Sequence, residues 1–500
     1  MNKKQIMKGL LLSGIVILAT FSSCKKDFLD INENPNAPAD VTVVELLPSA
    51  ELAIAHAVGN HLQIYGGLWG QFWTQSPSSS QYKTFENYSP SADDFDDLWA
   101  IIYSDCLKDL KTIITKATAE GKINYAACAT ILQAYAFQVA TDNFGDIPFS
   151  QALQEEQGIL TPKYDSQHEI YHGLINLVNS GLAMIDDNAI VFPGDEDLLF
   201  HGDMTLWRKF GNTLLLRIYM RMSEVDPGEA AAGVAALETS AAEFFAEGEE
   251  ARIDYLSSGG NTNPLISSIV DLSNVQNLVA SATAVDYMNN TNDPRVEVFY
   301  TPVSTGAFVG IAQGDYTVPA GTPVSLPGPI TGGNGSTPAL TAASSTAPVK
   351  LMTGYESLFL QAEAAERGWL TGNAQSLYEE AISESFNSYL APFPLDSNNN
   401  PIALDSIYFQ QDSVNYSLAP NKLRAIMTQK WIAMNGNQND EAWIEWRRTG
   451  YPDFFTVSAN SILGANRMPA RFLYPSIEVT RNPNTPPQPQ IDSRVWWDVN

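Results

Sequence analysis

The chain has 500 residues, 44% of them hydrophobic, which is ample for a large core in one big domain or two intimate lobes. Its formal charge is −28; residues 1–23 hold three lysines and no acids, so the remainder carries 25 basic against 56 acidic residues, or −31. So acidic a surface argues against nucleic acid as a partner and disfavours anionic ligands such as alginate or sulfated glycans, whereas neutral ligands fit better.

Lys3, Lys4 and Lys8 form a basic start, and the apolar run Gly9 to Phe21 suits a signal segment but is too short for a stop-transfer helix. Ser22 and Ser23 then precede Cys24, a pattern that resembles a lipoprotein signal with cleavage before Cys24 and diacylation of its thiol. Phe21 stands where such signals usually carry Leu. The alternative is an ordinary secretory peptide. No later stretch has the eighteen or so apolar residues a spanning helix needs, so membrane attachment is expected at the N-terminus. The expected organisation is a signal peptide over 1–23, a lipidated tether over 24–40 and one domain over 41–500. Cys106 and Cys128 sit in apolar helical patterns and are expected as buried free thiols. With no CxxC, HExxH or Cys/His cluster, neither metal nor cofactor is expected.

Helical periodicity dominates the chain beyond the tether. Leu46 to Trp73 reads as an apolar helix whose Gly59, Gly66, Gly67 and Gly70 permit close packing. Residues 74–90 are a polar loop studded with aromatics. Helices come next over Asp93–Lys116 and Tyr125–Thr141. The turn Asp142–Phe149 (DNFGDIPF) succeeds them, and then a helix opening near Pro162 and running to about Ile185. Asp203 to Pro227 is one long helix, apolar nearly all round and therefore central. Thr213, Arg217 and Arg221 make a single polar stripe on it, and arginines there demand carboxylate partners. Gly228–Ala251 is Ala-rich and helical. Residues 257–350 turn rich in Gly, Pro, Ser, Thr and Asn and are expected as loops and short strands. Helices return over Tyr355–Trp369 and Asn373–Leu390. The fold expected is mainly α: a tetratricopeptide-like scaffold of helical hairpins over about 41–255 and 351–452, a loop-rich lobe over about 256–350, and an irregular segment over 453–500.

Several of these stretches carry a family resemblance. WRKFGNTLLLRIYMRMSEVDP, DNFGDIPF, Pro162–Asp165, Asp293-Pro294-Arg295, Tyr355–Trp369, Gln429–Met434, Glu441–Pro452 and Met468–Pro475 are spread over nearly the whole of the chain after the tether. Together they resemble the SusD/RagB outer-membrane lipoproteins of Bacteroidetes, in particular the SusD-like second subfamily. That resemblance implies a helical scaffold of the tetratricopeptide type, with these motifs holding the fold. It also implies a cell-surface lipoprotein that captures a nutrient, usually a glycan, and passes it to a SusC-type TonB-dependent transporter. A charged run after the lipid Cys (Lys25-Lys26-Asp27) is similar to a surface-export signal of such proteins.

No catalytic constellation is visible. Glu441 and Glu445 share one helix face beside Arg447 and Arg448, which is the setting of ion pairs rather than of two carboxylates across a scissile bond. Binding is the better expectation, because sugars present apolar C–H faces beside hydroxyls and their receptors use flat rings with polar neighbours. The polar loop supplies such a set. Trp73, Tyr82 and Tyr88 are the expected stacking rings, Gln75 and Asn87 the hydrogen-bonders, and Tyr316 a further ring from the loop-rich region. Core packing competes with ligand contact for Trp73, whereas Trp69 and Trp99 are expected in the core. Neutral oligosaccharide is the expected ligand. Peptide capture in the manner of RagB is the runner-up, ahead of a glycoside hydrolase or a purely structural lipoprotein.

Overall fold

A computed structural model describes residues 41–257, 260–273, 275–319, 321–333 and 342–500. The signal segment, Cys24 and the tether to residue 40 lie outside the described residues. Helix α1 (Val43–Ala57) passes through a π turn at Val58–Leu62 into α2 (Gln63–Trp69), which stops at Gly70. Glycine is needed here. A Cβ on Gly66 would lie 2.3 Å from the Asp440 backbone nitrogen, and one on Gly67 would lie 2.5 Å from the Trp73 ring. The expected helix to Trp73 therefore ends early, and Trp73–Gln75 forms strand β1 instead.

A helical run from Ala92 continues through a second π turn, Ile101–Leu107, into α3 (Lys108–Glu120), closed by Gly121 at φ +72°. Helix α4 (Ile123–Phe144) is buried from Asn124 onwards, so its alanines serve contact on every side. Gly145, at φ +75°, turns the chain into β2 (Ile147–Pro148), which pairs antiparallel with β3 (Tyr164–Asp165). The residues after Pro162 are thus strand first. Helix α5 (Gln167–Met184) starts only where Ser166 and Glu169 form a capping box.

Helix α6 (Met204–Arg221) is capped by the Asp203 carboxylate, which accepts the Thr205 and Leu206 amides. Asp226 then caps α7 (Pro227–Thr239), with Pro227 in the first turn, where its missing N–H costs nothing. The helix expected to Ala251 is cut short, because Glu250–Ile253 (β4) pairs with a strand distant in sequence, β8 (Val349–Thr353). Between them the loop-rich region holds β5 (Leu278–Ala280), paired with β1, and β6 (Tyr300–Thr301), paired with β7 (Leu326–Pro327). Its described residues also include helices not anticipated, the longest of them Pro264–Asp271 and Ala282–Asn290. The scaffold resumes with α8 (Gly354–Glu366), α9 (Ala374–Leu390), α10 (Lys422–Ala433) and α11 (Asn439–Thr449). Helices α4 and α5, and α8 and α9, pack as consecutive pairs. The architecture is mainly helical, with four two-stranded pairings among the described residues.

The arginine stripe of α6 finds the partners its burial requires. Arg217 donates to both oxygens of Glu356, at 2.6 and 2.7 Å, and to the Leu351 carbonyl. Arg221 reaches Glu441 and Glu445 of α11 and lies 3.4 Å from Asp142 of α4. Glu445 also accepts from Arg448 at 2.7 Å and pairs with Lys430 at 3.1 Å, while Arg448 grips both oxygens of Glu363. Burial alone would push the Glu445 carboxyl up, but Arg448, Lys430 and Arg221 hold it well below the usual range. Glu441 and Glu445 are thereby engaged in ion pairs. Cys106 and Cys128 are buried and unbridged, and burial raises both thiols. Among the described residues no helix is long and apolar enough to cross a membrane.

Candidate functional site

Strand β1 delivers the polar loop to the surface, and its pairing with β5 decides which residues of that loop face inwards. Trp73 is fully buried, its ring lying over Gly67. Gln75 is buried too, and its amide is consumed locally: Nε2 donates to Ser79 Oγ and the Ser76 carbonyl, and Oε1 accepts the Tyr82 amide at 2.7 Å. Tyr88 is buried, with φ +63°, and its hydroxyl accepts the Ser458 amide. These three residues correct the expected platform. Strand β1 is buried along its whole length, so Trp73 and Gln75 build the loop from beneath, and Tyr88 ties it to the 456–462 segment.

Tyr82, Asn87 and Tyr316 remain half-buried at the surface. The turn Lys83–Glu86 packs against residues 313–316, where Lys83 Nζ stands 4.6 Å from the Tyr316 ring centroid. Glu86 bolts the two segments together, accepting Thr74 Oγ1 and the Gly314 amide at 2.7 Å each. Its other oxygen has no partner, and burial pushes its carboxyl up to about 7. Asn460 donates to the Gly314 carbonyl, and the Ile462 amide donates to that of Asn87. Asn87 Oδ1 and the Tyr316 hydroxyl are left without partners. Sequence reasoning missed Lys83, Glu86 and Asn460; a Lys-x-x-Glu turn beside several rings was the available signal.

Two clefts flank this assembly. One, of about 310 Å³, runs between Ser76–Ser79 and Val318–Leu326, with Gln276 and Thr322 on its walls; none of the described residues lining it is charged. Tyr316 stands two residues before Val318 on its wall. The second, of about 610 Å³, lies behind the 456–469 segment, with Trp446 and Phe455 stacked at 5.4 Å and 22° on its floor. Arg467 and Asp492 pair at its mouth, beside Asn466 and Arg494. Trp446 lies within the Glu441–Pro452 motif, for which the family resemblance implies only a fold-holding role. The rings Phe454 and Phe455 just past the end of α11 were the sequence signal for an aromatic surface there.

A helical scaffold here presents a loop-built face with half-buried rings beside clefts of ligand size, the setting in which a small ligand is held. The chain belongs to the SusD-like family described as starch-binding and associating with the outer membrane, whose model matches residues 35–475. No protein of curated function matches the sequence. Among solved structures it is similar to a chitin-binding protein (24% identity, TM-score 0.76, covering 92% of this chain and 100% of that one). It is also similar to a chitin-binding SusD homologue from Flavobacterium johnsoniae (23%, 0.70, 90% and 99%). A SusD homologue from Bacteroides vulgatus matches at 23% identity and TM-score 0.69, over 88% of this chain and 92% of that one. At these identities the likeness is one of fold.

Proposed function

We propose that this protein captures neutral oligosaccharides at the cell surface and delivers them to a SusC-type TonB-dependent transporter, held to the outer membrane through lipid on Cys24. The family description supports glycan binding and outer-membrane association. The observation that carries the neutral-ligand reading is the uncharged cleft of about 310 Å³ on a chain of net charge −28. Serine and threonine hydroxyls, the Gln276 amide and valine surfaces match the alternating hydroxyl and C–H faces of a sugar. Tyr316 and Tyr82 are the stacking rings at this face, and Asn87 a hydrogen-bonding partner. Capture needs no chemistry, so binding without turnover is the expected behaviour. A receptor held over a transporter raises local ligand concentration and gives the cargo a second partial site.

The Trp446–Phe455 floor favours a second reading, in which the wider cleft takes the glycan. Calorimetry of residues 25–500 against a panel of neutral and acidic oligosaccharides and peptides tests both. Tyr316→Ala should weaken binding of a neutral glycan about tenfold or more, the loss of a good stacking contact. Trp446→Ala should leave it unchanged. The reverse pattern moves the site to the wider cleft, and saturable binding of peptides alone sinks the glycan reading.

A further inference from the structure

Outside both clefts, helix α5 carries two histidines one turn apart, His168 and His172. Their Nε2 atoms face each other at 3.2 Å. Residues at i and i+4 share a helix face, so both rings rise from one side of α5. His168 is exposed and His172 is partly so, which leaves the pair open to solvent. Trp496 packs edge-on against the His168 ring at 5.1 Å, and restricts where that ring can turn. From α7, Glu229 Oε1 lies 3.1 Å from His172 Nδ1. A carboxylate there holds the proton on Nδ1 and leaves Nε2 of His172 as an acceptor facing its neighbour.

From this geometry we infer that His168 and His172 form a two-histidine chelate for a divalent transition-metal ion, with Glu229 as the positioning residue. Metal–imidazole bonds run about 2.0–2.1 Å, so two nitrogens on one ion sit from about 2.8 Å apart at a right angle to about 3.4 Å apart at the tetrahedral angle. The observed separation falls inside that range. Imidazole donors and the stability order of first-row ions favour copper(II) over nickel and zinc. Among the described residues no group of three or more His, Cys, Asp or Glu is placed to hold a metal, so water fills the remaining positions. That makes the ion exchangeable and accessible from outside. The sequence, from which no metal is expected, hides this pair for a physical reason. The pair occupies adjacent turns of one helix face rather than a cluster motif, and the carboxylate that orients it comes from another helix, α7.

Without metal, the same separation is a neutral hydrogen bond in which one ring donates to the other, and the test must separate the two. Copper(II) titration of the mature chain in detergent, followed by electron paramagnetic resonance, does so. The expected result is one saturable site whose spectrum shows coupling to two nitrogens. His168→Ala and His172→Ala should each weaken it at least tenfold, and Glu229→Gln should weaken it about tenfold, the usual effect of losing an outer carboxylate. All three positions lie on helix surfaces, so circular dichroism should be unchanged. Equal copper affinity in wild type and both histidine variants would falsify the site, as would a spectrum with no nitrogen coupling.

Discussion

Glu86 shows how one side chain can organise a surface while working against stability at neutral pH. It is buried, bolts Thr74 to Gly314, and has an ionisation pushed up to about 7 by desolvation. Its unfolded counterpart ionises near 4.5. Between those values the folded state holds a proton that the unfolded state has released. This contribution to stability is therefore full below about 4.5 and falls as pH rises towards 7, by at most about 3 kcal/mol. Glu86→Gln keeps the accepting oxygen for Thr74 and Gly314 but cannot ionise. In urea unfolding it should match wild type near pH 4.5 and exceed it at pH 8. A difference between the two proteins that does not change with pH would show that Glu86 is ionised throughout. Burial also separates the rings: Trp73 and Tyr88 read like Tyr82 and Tyr316 in composition, and only the β1–β5 pairing at Trp73 and the 456–462 segment over Tyr88 tell inside from outside. That pairing joins residues far apart in the chain, Trp73 to Ala280, which no local pattern reports.

At the scale of elements, α6 was legible because eighteen residues of helix are long enough for a 3.6-residue period to stand out and for a polar stripe to be conspicuous. The need for carboxylate partners followed from burial, though not which carboxylates. Strands β1 and β4, of three and four residues, are too short for an alternation to register, and both merge into neighbouring helical patterns. The stripe yields its own prediction. Removing the Arg221 side chain leaves the buried Glu445 and the largely covered Glu441 short of a cation. Breaking a buried network in this way costs about 3–5 kcal/mol. Arg221→Ala should lower the urea midpoint accordingly, whereas Arg424→Ala, which breaks an exposed pair with Asp453, should cost under about 1 kcal/mol. Equal effects would mean that the α6 network is solvated. The Glu445 carboxyl, held low against its burial, gives stability that is present above the unfolded value and lost as pH falls through the folded one, so the wild type should weaken in acid.

For the whole molecule, the excess of acid is the property that most constrains what can be carried. A chain with twice as many acidic as basic residues surrounds itself with a negative potential that reaches about 10 Å at 0.1 M salt. A neutral oligosaccharide approaching the uncharged cleft between Ser76 and Leu326 feels none of it. A polyuronate of the same length is repelled on approach, and among the described residues lining that cleft it finds no cation to offset the repulsion, Lys83 beside the Tyr316 ring being a single charge at this face. The affinity of a neutral glycan should therefore stay constant within about twofold from about 50 to about 500 mM salt, whereas a uronate-containing analogue should bind weakly at the lower concentration and recover as salt screens the field. Calorimetry at the two salt concentrations reads both. If the uronate binds best at low salt, the ligand sits instead against a local positive site. Such charge resides at Lys83 beside Tyr316 and at the Arg467 and Arg494 mouth of the Trp446 cleft, so that outcome, with Tyr316→Ala without effect, would relocate the glycan as well as reverse its sign.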